Sequence, residues 1–229
     1  MSHELRTPLT SINGVLGLLA AGAIPKIPVK AVDLLVIAKN NADRLGRLVD
    51  DILDIEKLEF GQLQLDVVEC EINDLIRQAV AQNSGYAIKY GVSLVLDRES
   101  IEQHNVVVSV DTDRFLQVML NLISNAVKYS NLDGKVTIST KLKDRIITVY
   151  VEDKGMGIPE AFRSRVFQKF AQADSSDTRK RDGTGLGLSI TKVIVERMGG
   201  KINYVTELNK GTTFYFSLPV VRDISEASE

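Results

Sequence analysis

Five apolar residues near the start of the chain, Leu5, Leu9, Ile12, Leu16 and Leu19, recur at intervals of four, three, four and three. That set of intervals puts all five on one seam of a single helix. The run Gly22-Ala23-Ile24-Pro25-Lys26-Ile27-Pro28 stops the helix, because each proline lacks an N–H and its ring clashes with the preceding turn. A second seam with the same intervals follows at Ala38, Ala42, Leu45, Val49 and Ile52, widened by Leu48 and Ile55. Two amphipathic helices with a short connection make an antiparallel hairpin. One hairpin buries such broad faces poorly, so the pattern predicts a homodimeric four-helix bundle formed through residues 5–55. The competing arrangement packs the hairpin onto the rest of its own chain.

The period changes near Phe60-Gly61. From there the alternation of a strand and the period of a helix follow one another. Strands are predicted at Gln62–Val67, Val92–Leu96, Val106–Val110, Lys135–Leu142, Arg145–Glu152, Lys201–Val205 and Thr213–Leu218. Helices are predicted at Glu71–Tyr90, Asp113–Tyr129 and Leu186–Met198. A loop-rich stretch covers Asp153 to Gly185. A mixture of this kind after a helical hairpin predicts an α+β chain whose second domain is an α/β sandwich. The expected division is a hairpin over residues 1–59, a sandwich over 60–221 and a polar, frayed tail over 222–229.

Composition narrows the functional classes. Of 229 residues, 44% are hydrophobic and 25% charged, enough for a substantial core. Lys and Arg total 28 against 30 Asp and Glu, so nothing favours a nucleic-acid partner or an anionic membrane surface. No run of about 20 apolar residues forms a membrane segment, and the N-terminus has no secretory n-region. The single cysteine, Cys70, pairs with nothing inside the chain. That fits a reducing, cytoplasmic setting and a packed small residue near a strand.

Three polar segments marked by asparagine or glycine lie in the second domain. In Asn121-Leu122-Ile123-Ser124-Asn125-Ala126-Val127-Lys128-Tyr129, the residues Asn121, Asn125 and Lys128 fall at i, i+4 and i+7 and share one helix face. Two amides and an ammonium suit a magnesium ion and phosphate oxygens, and one amide oxygen, that of Asn125, suffices as the protein ligand. Alone, the segment reads as a solvated helix face. Asp153-Lys154-Gly155-Met156-Gly157-Ile158-Pro159 follows a strand directly. Gly155 and Gly157 let backbone approach a flat ligand, and the Asp153 carboxylate accepts hydrogen bonds from an amine such as that of adenine. Alone, it reads as an Asx turn. Gly183-Thr184-Gly185-Leu186-Gly187-Leu188 opens a helix, an arrangement that binds phosphate through backbone N–H groups. Its spacing is not the dinucleotide fingerprint, and neither Gly134-Lys135 nor Gly200-Lys201 is followed by the Ser or Thr of a P-loop.

In this order the three segments resemble the N, G1 and G2 boxes of the GHKL ATP-binding superfamily. Phe167-Gln168-Lys169-Phe170 is similar to its F box, and Gly211-Thr212-Thr213-Phe214 to its last motif. The resemblance implies a Bergerat-type sandwich and a site for ATP and Mg2+. It carries that site onto Asn121, Asn125, Lys128, Tyr129, Asp153, Gly155, Gly157, Ile158, Phe170, Gly183, Thr184, Gly185, Leu186, Gly187, Leu188 and Thr212. It also implies that Thr212 helps hold adenine.

Ser2-His3-Glu4-Leu5-Arg6-Thr7-Pro8-Leu9 resembles the H box of the sensor histidine kinases. The residue chemistry agrees. Neutral imidazole is a competent nucleophile near neutral pH. Glu4 can take the Nδ1 proton and leave Nε2 to attack phosphorus. Thr7 lies one turn from His3, where its hydroxyl can hold a hydrolytic water; in the family an acidic residue followed three on by threonine marks phosphatase competence. Pro8 bends the helix just after the reactive turn. Without the H box, His3 would read as an inert terminal histidine; His104 has no such context and reads as a loop residue. The implied partner is a response-regulator receiver domain.

Two departures from the family pattern stand out. Its first helix starts well before the histidine, so a fragment of a longer sensor, membrane-anchored in one reading, is expected. Asp182 replaces a frequent glycine before the G2 box. The stretch from Pro159 to Thr184 is expected to be a mobile lid; Arg179, Lys180 and Arg181 are either phosphate contacts or solvated charges. Other readings are a phosphatase-dominant protein, an ATP-binding module without kinase activity, and a chaperone-like or mismatch-repair-like ATPase.

Overall fold

The computed structural model describes residues 10, 12–19, 29–59, 64–172 and 184–224. The chain divides into two compact units, residues 1–63 and 64–229.

The first unit holds two helices. Helix α1 is described over residues 12–19 and α2 spans Val29–Glu59. Their close approach shows at Gly17, where an added Cβ would lie 3.9 Å from Lys39 Cε. Ala42 and Leu53 of α2 are buried. Ile12, Val15 and Leu18 on α1 and Leu45 and Ile52 on α2 remain exposed. The expected seam therefore splits into a covered face and an uncovered one. No described helix is long and apolar enough to cross a membrane.

The second unit is a seven-stranded sheet carrying helices on one face. Its strands are β1 Val68–Glu71, β2 Ser93–Leu96, β3 Val106–Val110, β4 Lys135–Lys143, β5 Ile146–Asp153, β6 Lys201–Glu207 and β7 Gly211–Asp223. They run in the order β1-β3-β7-β5-β4-β2, and β6 pairs with β7 off that path. Only β2 and β4 pair in parallel; the other pairs are antiparallel.

The covering helices are α3 Ile72–Lys89, α5 Thr112–Tyr129 and α7 Gly187–Arg197; short α4 Arg98–Glu102 and α6 Glu160–Arg163 lie in connections. Helix α5 shows why this layer forms. The Asp111 side chain caps it, accepting from Arg114 N at 3.0 Å. Phe115, Val118, Met119, Leu122, Ile123, Ala126 and Val127 make one fully apolar stripe, all buried. Fully burying a side chain of this size contributes about 1.5–3 kcal/mol, so the stripe fixes α5 on the sheet. Phe115 meets Phe216 of β7 edge to face at 5.7 Å. The sheet face below carries Val149, Val151, Phe214, Phe216 and Leu218, also buried.

Three sequence expectations are corrected. Residues 64–67 form no strand; β1 begins at Val68, where pairing with Val110 starts. Just before it, Asp66 N–H is drawn off to the Asp111 carboxylate at 3.0 Å. Helix α4 was not anticipated; its five residues are too few to show a period, and it is held by Asp97 as cap and by Ser100 bonded to Thr140 of β4. Strand β7 continues past Leu218 through Asp223. Arg222 and Asp223 pair with Val107 and Val106, so this start of the expected tail is strand. A register shift between Val107 and Val108 absorbs one extra residue of β7. Cys70 sits half-buried in β1, and burial raises its thiol pKa. His104 lies outside regular structure.

Candidate active site

The site is built at one end of the sheet. Asp153 is the last residue of β5, opposite Thr212 of β7, and Thr212 is opposite Thr206 of β6. Directly paired residues of adjacent strands point to the same face. Asp153, Thr212 and Thr206 thus form one lateral row. It lies on the helix-covered face, where Asp153 and Thr212 are both 5% exposed.

The carboxylate is held by the backbone. Its Oδ1 accepts from Gly155 N at 2.9 Å, and it also accepts from the Thr212 backbone. Burial nevertheless raises its pKa from 3.8 to about 6; the two backbone hydrogen bonds pull the other way and neighbouring Glu152 adds to the rise. An acid so placed stays ionised at neutral pH yet lacks full solvation, so it favours a ligand that donates to it.

The loop after Asp153 passes through spaces only glycine fills. A Cβ on Gly155 would lie 1.9 Å from the Tyr129 carbonyl oxygen, and one on Gly157 2.3 Å from that of Glu207, at φ +70°. Tyr129 O accepts from Met156 N at 3.4 Å, and Asn131 Nδ2 reaches Lys154 O at 3.1 Å. The end of α5 and this loop are therefore joined. Ile158 N–H donates to Thr206 Oγ1 at 2.9 Å.

On α5, Asn121, Asn125 and Lys128 are all half-buried and fall on one face. The Asn121 amide nitrogen donates to Gly187 O at 3.3 Å and to Thr191 Oγ1 at 3.2 Å. Asn121 thus braces α7 against α5 and keeps its oxygen outside those two bonds. Thr184 Oγ1 accepts from Leu186 N at 3.1 Å, and the Leu186 side chain is fully buried. Leu186 is a core residue whose N–H is already engaged. Gly187 opens α7, whose cap supplies no side-chain hydrogen bond, and Leu188 follows half-buried. Gly185 at φ +73° lies against the backbone of Phe170 and Ala171, while the Phe170 side chain is 65% exposed.

The residues present fit a purine nucleotide and one hard cation. Gly155 and Gly157 let the loop after Asp153 close against the Tyr129 and Glu207 backbone beside the carboxylate. A carboxylate accepts from the amine of a purine, and the amide oxygens of α5 are the hard donors magnesium takes beside phosphate. Among the described residues no cluster of His, Cys, Asp or Glu offers a rival metal site. Gly183 and residues 173–182 of the expected lid lie outside the described residues, as do His3, Glu4 and Thr7. Thr206 lies just beyond the strand predicted over Lys201–Val205; β6 runs two residues further, to Glu207, and brings Thr206 into the sheet.

Comparison with known proteins agrees with this geometry. Residues 1–61 match the His Kinase A (phospho-acceptor) domain. Residues 110–222 match the histidine kinase-, DNA gyrase B- and HSP90-like ATPase family. The signal transduction histidine-protein kinase BarA of Escherichia coli K12 is 36% identical over 226 residues, 95% of this chain and 24% of BarA. The autoinducer 2 sensor kinase/phosphatase LuxQ of Vibrio vulnificus YJ016 is 35% identical over 232 residues, 96% of this chain and 26% of LuxQ. The chain thus spans about a quarter of the length of these relatives. Full-length ShkA, solved in complex with AMPPNP, superposes with a TM-score of 0.76 at 29% identity, over 96% of this chain and 44% of that one. With both domain families matched in order, and the row, the glycine loop and the braced helices in place, this chain belongs to the sensor histidine kinases of two-component systems.

Proposed function

We propose that the chain is an ATP-dependent histidine autokinase that phosphorylates His3 and passes the phosphoryl group to an aspartate of a response-regulator receiver domain. The observation that carries the reading is the buried Asp153 carboxylate, short of solvation and set beside Thr212 at the start of a glycine loop. It suits the exocyclic amine of adenine, and it occurs in the same chain as the Ser2-His3-Glu4 box.

In the proposed step His3 Nε2 attacks the γ-phosphorus. The bond from that phosphorus to the β–γ bridging oxygen breaks, ADP leaves, and Glu4 takes the Nδ1 proton. Asp153 and Thr212 hold the base, while Lys128 and the backbone N–H groups of Gly187 and Leu188 at the start of α7 serve the phosphates. Asn125, with Asn121 beside it, would hold a magnesium ion, which would neutralise charge on the phosphate oxygens. The phosphoryl group then moves from Nε2 to a carboxylate oxygen of the partner. The uncovered apolar residues of α1 and α2 supply a dimer face. Residues 1–59 and 60–221 act as the acceptor and ATP-binding domains, in the cytoplasmic part of a longer sensor.

The test is incubation with γ-labelled ATP and magnesium. An acid-labile label should form, should be lost in His3→Gln with ATP affinity unchanged, and should move to an added receiver domain. A label that persists in His3→Gln refutes the assignment. A second reading, hydrolysis of the phosphorylated regulator, is favoured by Glu4-Leu5-Arg6-Thr7 and by one relative being named a kinase/phosphatase.

A further inference from the structure

We infer that Thr206 is a specificity-positioning residue of the nucleotide site: by taking the Thr212 hydroxyl proton it keeps the row beside the base acceptor-only, so that a 6-amino purine is admitted and a 6-keto purine rejected. This rests on the proposal that the site binds a nucleotide.

The inference follows from counting protons at one oxygen. Thr206 Oγ1 lies 2.9 Å from Ile158 N, 3.1 Å from Gly211 O and 2.9 Å from Thr212 Oγ1. A hydroxyl has one proton and two lone pairs. The Ile158 N–H can only donate, so it occupies one lone pair. The Gly211 carbonyl can only accept, so it takes the Thr206 proton. One lone pair remains, directed at Thr212. Thr212 must then be the donor in the Thr206–Thr212 pair, and its own oxygen is left with lone pairs alone.

Asp153, on the other side of Thr212 in the same row, is also acceptor-only when ionised. Two adjacent acceptors match an exocyclic amine, which has two N–H groups. They oppose a carbonyl oxygen at the same ring position, because neither has a proton to give. Thr206 also completes the frame. The loop from Gly155 to Ile158 is tied at its start to Asp153 and at its end to Thr206. The side chains that accept the first and last N–H groups of this loop, Asp153 and Thr206, are thus the two ends of the row that flanks Thr212.

The experiment compares ATP and ITP binding by calorimetry at pH 8, where Asp153 is ionised, in the full chain and in Thr206→Val, Thr206→Ala and Thr206→Ser. Valine and alanine remove the acceptor, free the Thr212 proton to rotate toward a keto oxygen, and should reduce the ATP-over-ITP preference about tenfold, the size of one recovered hydrogen bond. Serine keeps the hydroxyl and should keep the preference. Alanine adds no bulk, so it provides the result if valine disturbs folding in thermal melts. Equal weakening of both nucleotides, with the preference unchanged, would mean that Thr206 only supports the loop, and overturns the inference. A preference lost equally in the serine variant overturns it too. A parent chain that binds neither nucleotide refutes the nucleotide reading itself, which is a separate and recognisable failure.

Discussion

At the scale of single residues, Asp153 sets stability and binding against each other. Its pKa is raised to about 6 in the fold from an ordinary 3.8. A raised folded-state pKa gives stability that is complete below about 3.8 and is lost as pH rises through about 6. Above that window the buried charge costs up to about 3 kcal/mol. Asp153→Asn is uncharged and nearly isosteric, so it should melt higher than the parent at pH 7.5 and show a flatter pH dependence between about 4 and 6. It should also discriminate less between ATP and GTP, because an amide can turn and offer its N–H groups. Thermal melts across pH check the first part, and a variant that melts lower at pH 7.5 disproves it.

At the scale of elements, two glycines make opposite predictions. Gly155 lies in the loop after β5, where a Cβ would overlap the Tyr129 carbonyl at 1.9 Å. Gly155→Ala must push the loop away from α5. Nucleotide affinity should fall by at least about tenfold, the equivalent of losing one well-placed contact, and unchanged affinity in a titration would count against a role for this loop in the site. Gly85 is different. It sits exposed in the interior of α3 with nothing within 4 Å of an added Cβ. Gly85→Ala should stabilise the protein by about 0.5–1 kcal/mol by restricting the unfolded chain. Denaturant melts measure this, and nucleotide affinity should not move.

At the scale of the whole molecule, the proposed chemistry is split between units. Every described residue of the nucleotide site lies within residues 64–224, and the proposed acceptor lies in the other unit. Changes in the acceptor helix should therefore leave nucleotide affinity intact. Thr7→Ala should spare autophosphorylation and depress hydrolysis of the phosphorylated regulator by on the order of 10²-fold, since only hydrolysis needs a positioned water. Alanine keeps the helix, having the higher propensity. Both rates are to be measured on one preparation. A parallel fall in both would assign Thr7 to packing beside Pro8.

The sequence by itself determined the long elements and the order of the motifs. In α5 the 3.6 period is carried by seven buried apolar residues, which made both the helix and its polar face readable. The boxes were readable because glycine, asparagine and aspartate at fixed spacings have few other uses together. Short elements carry too few residues for a period to show, so α4 was invisible and β1 was placed several residues early. The last residues of β7 looked like a tail because they are polar, and only a partner strand could make them ladder. Thr206 belongs to the same class. Nothing in its local sequence distinguishes it; its role exists only because antiparallel pairing sets it beside Thr212, and Thr212 beside Asp153. Local periodicity is written into neighbours along the chain, whereas the row across three strands sets the Thr206–Thr212 hairpin pair beside Asp153 from a distant part of the chain, and it arises only when the sheet closes.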